Sequence, residues 1–421
     1  MALFALALFI FFSLPGLPAQ EQAAAGDIIA AAAENAPALG SRAAALIDAE
    51  TGALLYAKNP DEPIPPASLA KLMTIHVALK EAAAENASLD ETVELPRQSW
   101  AVNQPPRSSL MFLAAGQRVT IRELIMGLAV PSGNDAAVAT ALRFAPSVEA
   151  FVGKMNAEAR ALGLEKTQFV EPSGISEYNF TTAREFALFC REYIRMHPET
   201  LAEFHSAPEF AYPKAENVAV AYRANPGTIV QRNHNRLLDI FLPDGRKNTN
   251  AVEGADGLKT GYIDEAGYNI ALTAARRGTR LIAVILGAPA SYRGERVRDE
   301  DGRELLNWGF ANFRTLRPAL PEMEPLRVWK GKTNYVGCAP GESLNFTTRA
   351  DRGEDLRWTG EYADPLSAPL PRGSRVGALV FSDSLGELRR VPVITTGNVE
   401  QGGFFKRLID SARLFFRAVF R

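Results

Sequence analysis

Histidine and cysteine are scarce in this chain, and their scarcity removes whole classes of chemistry. The four histidines, His76, His197, His205 and His234, form no H-x-x-H or H-E-x-x-H pair, the spacing that sets two imidazoles on one helix face around zinc. A zinc hydrolase is therefore not expected, and neither is any other metal or cofactor. The two cysteines, Cys190 and Cys338, lie far apart without metal-ligand spacing and read as small buried hydrophobes rather than a disulfide. A formal charge of -2 provides no overall basic field, which argues against nucleic acid as a partner.

Long apolar runs are absent beyond the N-terminus. There, residues 2–14 are too short to span a bilayer comfortably but match the core of an export signal, with cleavage expected after Ala19 and alternatives at Ala23 to Ala25. No basic residue precedes the run, so an uncleaved anchor is the alternative. An exported, periplasmic or outer-face protein is expected. The remainder of the chain, which has 421 residues in all and is 47% hydrophobic and 22% charged, has the composition of two or three globular domains.

Ala43 to Asp48 and Leu54 to Lys58 flank Glu50-Thr51-Gly52, the pattern of a β-hairpin. Pro65-Pro66-Ala67 then stops any helix, while Leu69, Leu72, Met73, Ile75, His76 and Leu79 recur at helical spacing, which puts Ser68 in a first turn. Further helices are predicted over Ile121–Leu128, Asp135–Phe144, Val148–Leu162 and Thr182–Met196, and strands over Tyr268–Ala275 and Leu281–Leu286. Strands at both ends with helices between them imply an α/β (α+β) fold, an antiparallel sheet flanked by helices on both faces. The boundaries expected are a lead-in at 20–42, a first domain at 43–315, a proline-marked linker at 316–325 and a small all-β domain at 326–395.

Three short strings carry chemistry: Ser68-Leu69-Ala70-Lys71, Ser132-Gly133-Asn134 and Lys259-Thr260-Gly261. S-x-x-K and S-x-N would each arise roughly once by accident in a chain this long, so neither is decisive alone. Here the strings fall at a helix start, an inter-helix turn and the edge of a hairpin, where acyl-transfer chemistry needs them. Ser68 can be a nucleophile with Lys71 one turn away as its base; Ser132 can relay protons, Asn134 can hold substrate, and Lys259 with Thr260 can bind a carboxylate. A lysine is almost wholly protonated at neutral pH, and making Lys71 a base costs roughly 4 to 5 kcal/mol. Burial and repulsion from Lys259 are the expected sources.

With Ile47-Asp48-Ala49-Glu50-Thr51-Gly52, Ser108-Ser109-Leu110-Met111-Phe112-Leu113, Pro131 to Ala136, Gly257 to Tyr262 and Ala266-Gly267-Tyr268-Asn269, the chain resembles the low-molecular-mass penicillin-binding proteins, the serine-type D-alanyl-D-alanine carboxypeptidases, whose strings match the pattern S-x-x-K with K-T-G. That resemblance implies a β-lactamase-like catalytic domain, removal of the terminal D-alanine from peptidoglycan stem pentapeptides, and β-lactams as covalent inhibitors. It further implies an oxyanion hole from the N–H groups of Ser68 and Tyr262 beside Gly261, and a carboxylate-binding arginine before the domain's last helix, Arg298 by spacing or else Arg296. A D,D-endopeptidase, a β-lactamase using Glu171 and a non-catalytic peptidoglycan-binding scaffold are the competing readings.

Residues 404–421 would make a helix of roughly 27 Å, marginal for crossing a bilayer. Its phenylalanines, Leu408, Ile409 and Val419 share one face, and Lys406, Arg407, Asp410, Arg413, Arg417 and Arg421 the other. This is the pattern of a helix lying flat on an anionic membrane surface.

Overall fold

The structure, a computed structural model, describes residues 35–420; the expected signal, most of the lead-in and Arg421 lie outside them. At its centre is a five-stranded antiparallel sheet of β1 (Ala43–Asp48), β2 (Leu54–Lys58), β3 (Ala255–Ile263), β4 (Gly267–Arg276) and β5 (Thr279–Ala288), in the order β2-β1-β5-β4-β3. The first two strands come from one end of the domain and the last three from the other, so residues distant in sequence meet across β1 and β5, from Ala43 opposite Leu286 to Asp48 opposite Leu281.

β5 reads as an unbroken apolar run because both faces are covered. Ile282, Val284 and Leu286 point into a large core shared with α1 (Ala70–Glu85), α2 (Ile121–Ala129), α3 (Asn134–Phe144), α4 (Val148–Ala161) and α5 (Ala183–Met196). Leu281, Ala283 and Ile285 point the other way, against α6 (Gly294–Asn312). Gly309 lets α6 sit close, since a Cβ there would lie 2.6 Å from Leu46 Cδ2.

The helix starts obey their caps. Thr120 and Glu123 form a reciprocal capping box on α2, Ser147 accepts from Ala150 N on α4, and Thr182 accepts from Glu185 N on α5. Ser68 differs slightly from expectation: it lies in a 3₁₀ turn, Ala67–Leu69, that leads into α1. Ala67 has φ +50°, a strained value for a residue with a Cβ, and this kink turns the chain from the two prolines into the helix.

After α6, a strand β6 (Phe313–Leu316) pairs antiparallel with β7 (Phe346–Arg349). The second domain is all-β and is built around the hairpin β9 (Arg375–Asp383) and β10 (Gly386–Thr395) with β8 (Arg357–Tyr362) on its edge. Buried Asp48 joins the two domains: its carboxylate accepts from Thr315 Oγ1 (2.6 Å) and Thr347 Oγ1 (2.9 Å), and from Glu50 N and Thr51 N in the β1–β2 turn. Both cysteines are free.

The last helix, α7 (Phe404–Val419), packs with its polar side inward. Fully buried Asp410 accepts from Lys330 N (2.8 Å) and Lys406 Nζ (2.6 Å), and Arg417 pairs with Asp364. Phe404, Phe405, Leu408, Ile409, Phe415, Phe416, Val419 and Phe420 are all at least half exposed. No helix among the described residues is long and apolar enough to cross a membrane.

Three of the four histidines gather behind the large core. His76 Nδ1 lies 3.0 Å from His197 Nε2, its Nε2 lies 3.1 Å from Glu158 Oε1, and Tyr193 OH contacts His205 Nε2 at 2.7 Å. Burial, then the neighbouring His76 and Lys80, holds His197 down to about 4, and burial followed by Lys259 holds His205 down to about 3. Imidazoles that stay neutral in the fold but protonate when unfolded stabilise above their ordinary pKa, and that stability is lost as pH falls. The melting temperature is therefore expected to decline from pH 6.5 toward pH 4, and His197→Gln, which can still donate to His76, should flatten the decline in a pH series of thermal melts. An unchanged slope in that variant would exclude His197 as a source.

Candidate active site

The three strings converge at one end of the sheet. Lys71, wholly buried on α1, donates from Nζ to Ser68 Oγ (3.0 Å), Asn134 Oδ1 (2.8 Å) and Ser173 O (2.5 Å). Ser68 itself is only partly buried, so its hydroxyl can be reached from outside. Burial brings Lys71 down to about 7, against the opposing pull of the Glu171 and Asp135 charges. Lys259 is held well below the ordinary ammonium value by burial, then by Lys71, then by Arg298.

Ser132 sits at φ +63° in the turn between α2 and α3. Its Oγ is buried and has no hydrogen-bond partner among the described residues, an orphan of the kind that marks a site awaiting a partner. The turn is pinned by Asp135, whose carboxylate accepts from Met111 N (2.8 Å), Leu113 N (2.9 Å) and Ala136 N (2.9 Å), while Asn134 N donates to Ser109 O. The Ser108–Leu113 segment is thereby drawn along the turn. Gly133 has no room for a side chain, since a Cβ would meet Met111 N at 2.8 Å.

Lys259 and Thr260 lie buried on β3. Gly261 brings this strand against the nucleophile: a Cβ there would stand 2.9 Å from Ser68 N. From the opposite side Gly174, at φ +82°, presses on Ala67 and Ser68 so closely that a Cβ would overlap Ala67 O. Asn269 on β4 donates to Pro65 O (2.9 Å) and accepts from Gly287 N (2.8 Å), fixing the chain before Ser68 to the sheet. Tyr262 projects from the strand, its ring 4.3 Å from that of Tyr268, with its hydroxyl donating to Asp264.

Arg298 is 3% exposed on α6, close enough to Lys259 to depress it, and its guanidinium stands 6.0 Å from the Tyr268 ring. Arg296 points to solvent and pairs with Glu300, so of the two arginines only Arg298 faces the lysine. Glu171 is not a free carboxylate. One oxygen accepts from Gly174 N, Ser176 N and Asn179 Nδ2, the other from Ser173 N and Ser173 Oγ. It is the centre of the loop that delivers Ser173 O to Lys71, and a water-activating role would require breaking that shell. Sequence reasoning missed Ser173 because its contribution is a backbone carbonyl, which no side-chain pattern reveals. The only hint was the crowding of Ser, Gly and Asn after Glu171. Among the described residues no cluster of His, Cys, Asp or Glu could hold a metal.

Comparison with known proteins matches residues 30–290 to the family described as D-alanyl-D-alanine carboxypeptidase and residues 321–401 to penicillin-binding protein 5, C-terminal domain. The chain is 35% identical to the D-alanyl-D-alanine carboxypeptidase DacC of Escherichia coli over 392 residues, 92% of this chain and 91% of that protein. Among solved structures it is similar to penicillin-binding protein 5 from Haemophilus influenzae, at 30% identity and a TM-score of 0.72 over 87% of this chain and 99% of that one. It is also similar to penicillin-binding protein D2 from Listeria monocytogenes in its cefotaxime-bound form, at 31% identity and a TM-score of 0.53 over 65% and 99% of the two chains. With the S-x-x-K, S-x-N and K-T-G residues drawn together on this sheet, and with matches along most of its length, the chain belongs to the D-alanyl-D-alanine carboxypeptidase family.

Proposed function

We propose that this chain releases the terminal D-alanine of peptidoglycan stem pentapeptides through an acyl-enzyme on Ser68, and that β-lactams acylate the same oxygen. The observation that carries this reading is the Lys71 amine, buried, brought to about 7 and 3.0 Å from Ser68 Oγ. In its neutral form Lys71 takes the Ser68 proton as Oγ attacks the penultimate carbonyl. The oxyanion that forms is met by N–H groups at Ser68 and Tyr262, the strand and helix start that Gly261 allows to approach. The proton then passes to the departing amine by way of Ser132, whose buried hydroxyl is otherwise unpartnered. Asn134 holds both Lys71 and the substrate amide, and water completes the cycle by cleaving the ester.

Lys259, Thr260 and Arg298 are read as the binding site for the terminal carboxylate. Burial and two neighbouring cations disfavour the charged form of Lys259 in the free site, and an arriving carboxylate opposes both effects and is bound by that charge. This requirement for a free carboxylate favours exo-cleavage over the cutting of crosslinks. The occupied shell of Glu171 speaks against a β-lactamase.

The localisation rests on an exported chain whose last helix turns its apolar face outward. The reading is an interfacial anchor on the outer face of the cytoplasmic membrane. Lys406 and Arg417 are each paired with a carboxylate of the protein, so the phenylalanine face provides most of the attraction and fewer cations than the helix contains remain for anionic lipid.

Penicillin acylation should rise with pH through about 7, the value for Lys71, because only the neutral amine accepts the Ser68 proton. Stopped-flow labelling across pH 5.5 to 8.5 measures this, and a flat profile would exclude Lys71 as the base. Lys71→Arg cannot deprotonate and is expected to acylate about a thousandfold more slowly. Mass spectrometry should locate the adduct on Ser68, with Ser68→Ala unlabelled; a stable adduct elsewhere in that variant sinks the mechanism. Lys259→Ala should raise KM for the free-ended pentapeptide at least about a hundredfold, whereas equal turnover of an amidated peptide by the intact enzyme would favour the endopeptidase. Removing the residues after Gly403 should abolish co-sedimentation with phosphatidylglycerol vesicles, and undiminished binding would refute the anchor.

A further inference from the structure

The carboxylate site proposed above places two cations, Lys259 and Arg298, near each other in a buried corner, where each repels the other. Such a pair does not hold its geometry unaided, since an unliganded guanidinium relaxes away from a neighbouring ammonium unless something retains it. Arg298 is retained on three sides. Asp299 Oδ1 accepts from Nε (2.8 Å) and from Nη2 (2.6 Å), Glu295 Oε1 lies 3.5 Å from Nη2, and the Tyr268 ring stands 6.0 Å from the guanidinium carbon. The Nη1 end has no partner among the described residues, and it is the end a second carboxylate would use in a forked contact.

Asp299 is the unusual member of this set. Neighbours at i and i+1 on a helix do not face each other, yet here both side chains fold toward one point, with Arg298 3% and Asp299 14% exposed. Burial raises the Asp299 carboxyl above its ordinary value in spite of the adjacent arginine, so keeping its charge in this place has a cost. Glu295 is more exposed and is shared with Arg236 at 2.9 Å, which leaves Asp299 as the principal tether.

We infer that Asp299 is a positioning residue: it holds the Arg298 guanidinium against repulsion from Lys259, with its Nη1 end free for the substrate's terminal carboxylate. The inference rests on the carboxylate reading of Lys259 and Arg298, and its test separates the two. Steady-state kinetics on a D-Ala-D-Ala pentapeptide would compare Asp299→Ala, Asp299→Asn and Asp299→Glu with Lys259→Ala and Arg298→Ala, each verified as folded by its melting curve. Asp299→Ala should raise KM about ten- to a hundredfold with little change in kcat, as expected when a binding group is misplaced but the reacting groups are not. Asp299→Asn, which keeps the shape without the charge, should behave like Asp299→Ala, and Asp299→Glu should recover part of the loss. If Lys259→Ala and Arg298→Ala raise KM while Asp299→Ala does not, Asp299 has no positioning role. If none of the three moves KM, the carboxylate reading falls and takes this inference with it. A fall in kcat in Asp299→Ala equal to its loss in kcat/KM would make Asp299 part of general site integrity, and would also overturn the inference.

Discussion

A wholly buried lysine amine held among three oxygens is the constraint around which this fold is arranged. Lys71 needs Ser68 Oγ, Asn134 Oδ1 and Ser173 O at hydrogen-bond distance, and these belong to three segments far apart in the chain. Bringing them together demands close backbone approach, and the glycines mark where it occurs. Gly174 abuts Ala67 and Ser68, Gly133 abuts Met111, and Gly261 abuts Ser68 N. Each would collide with its neighbour if it carried a side chain. The strained φ of Ala67 and Ser132 belongs to the same requirement, backbone distortion held in place by the packing around it.

Acids near the site are handled in one consistent way. A carboxylate free to approach Lys71 would keep it protonated, and one free to approach Lys259 would do the same there. Asp135 is occupied by backbone N–H groups of the 111–113 segment and Ala136, Glu171 by its own loop, and Oδ1 of Asp299 by Arg298. Their fields still reach Lys71, whose shift is smaller than burial alone would give because Glu171 and Asp135 oppose it. Burial outweighs them, since it removes the water that would solvate the ammonium.

Much of this was legible in the sequence. Capped helices with clear spacing, such as Ile121–Ala129 and Ala183–Met196, lie within a residue of expectation, because the capping threonines and the apolar period agree. β3 was visible only as a motif at a hairpin edge: Gly257, Lys259, Thr260 and Gly261 replace the apolar run that would announce a strand, and those substitutions are what the site requires. The short antiparallel pair of Glu209–Tyr212 with Ile229–Arg232 and the pairing of β6 with β7 across the linker were not foreseen, since neither has a turn of hairpin length between its strands. Tuning of Lys71 was expected partly from burial and partly from Lys259, and burial is the larger cause at both lysines.

The C-terminal helix shows how the same residue pattern admits two placements that a helical wheel cannot tell apart. Its charged face could have met water while its phenylalanines packed on the β domain; instead Asp410, with no exposure at all, is drawn to Lys330 N and the apolar face is left outside. Burying that carboxylate is costly unless it is paired, and Lys406 with the Lys330 amide supplies the pairing. Leaving the large apolar face in water would forfeit the area-proportional gain that burying it brings, so the arrangement is economical only if another surface covers it. A second buried aspartate, Asp48, ties the catalytic sheet to the β domain through Thr315 and Thr347. The two carboxylates make successive attachments, Asp410 from the outward-facing helix to Lys330 in the β domain and Asp48 from β1 to Thr315 and Thr347.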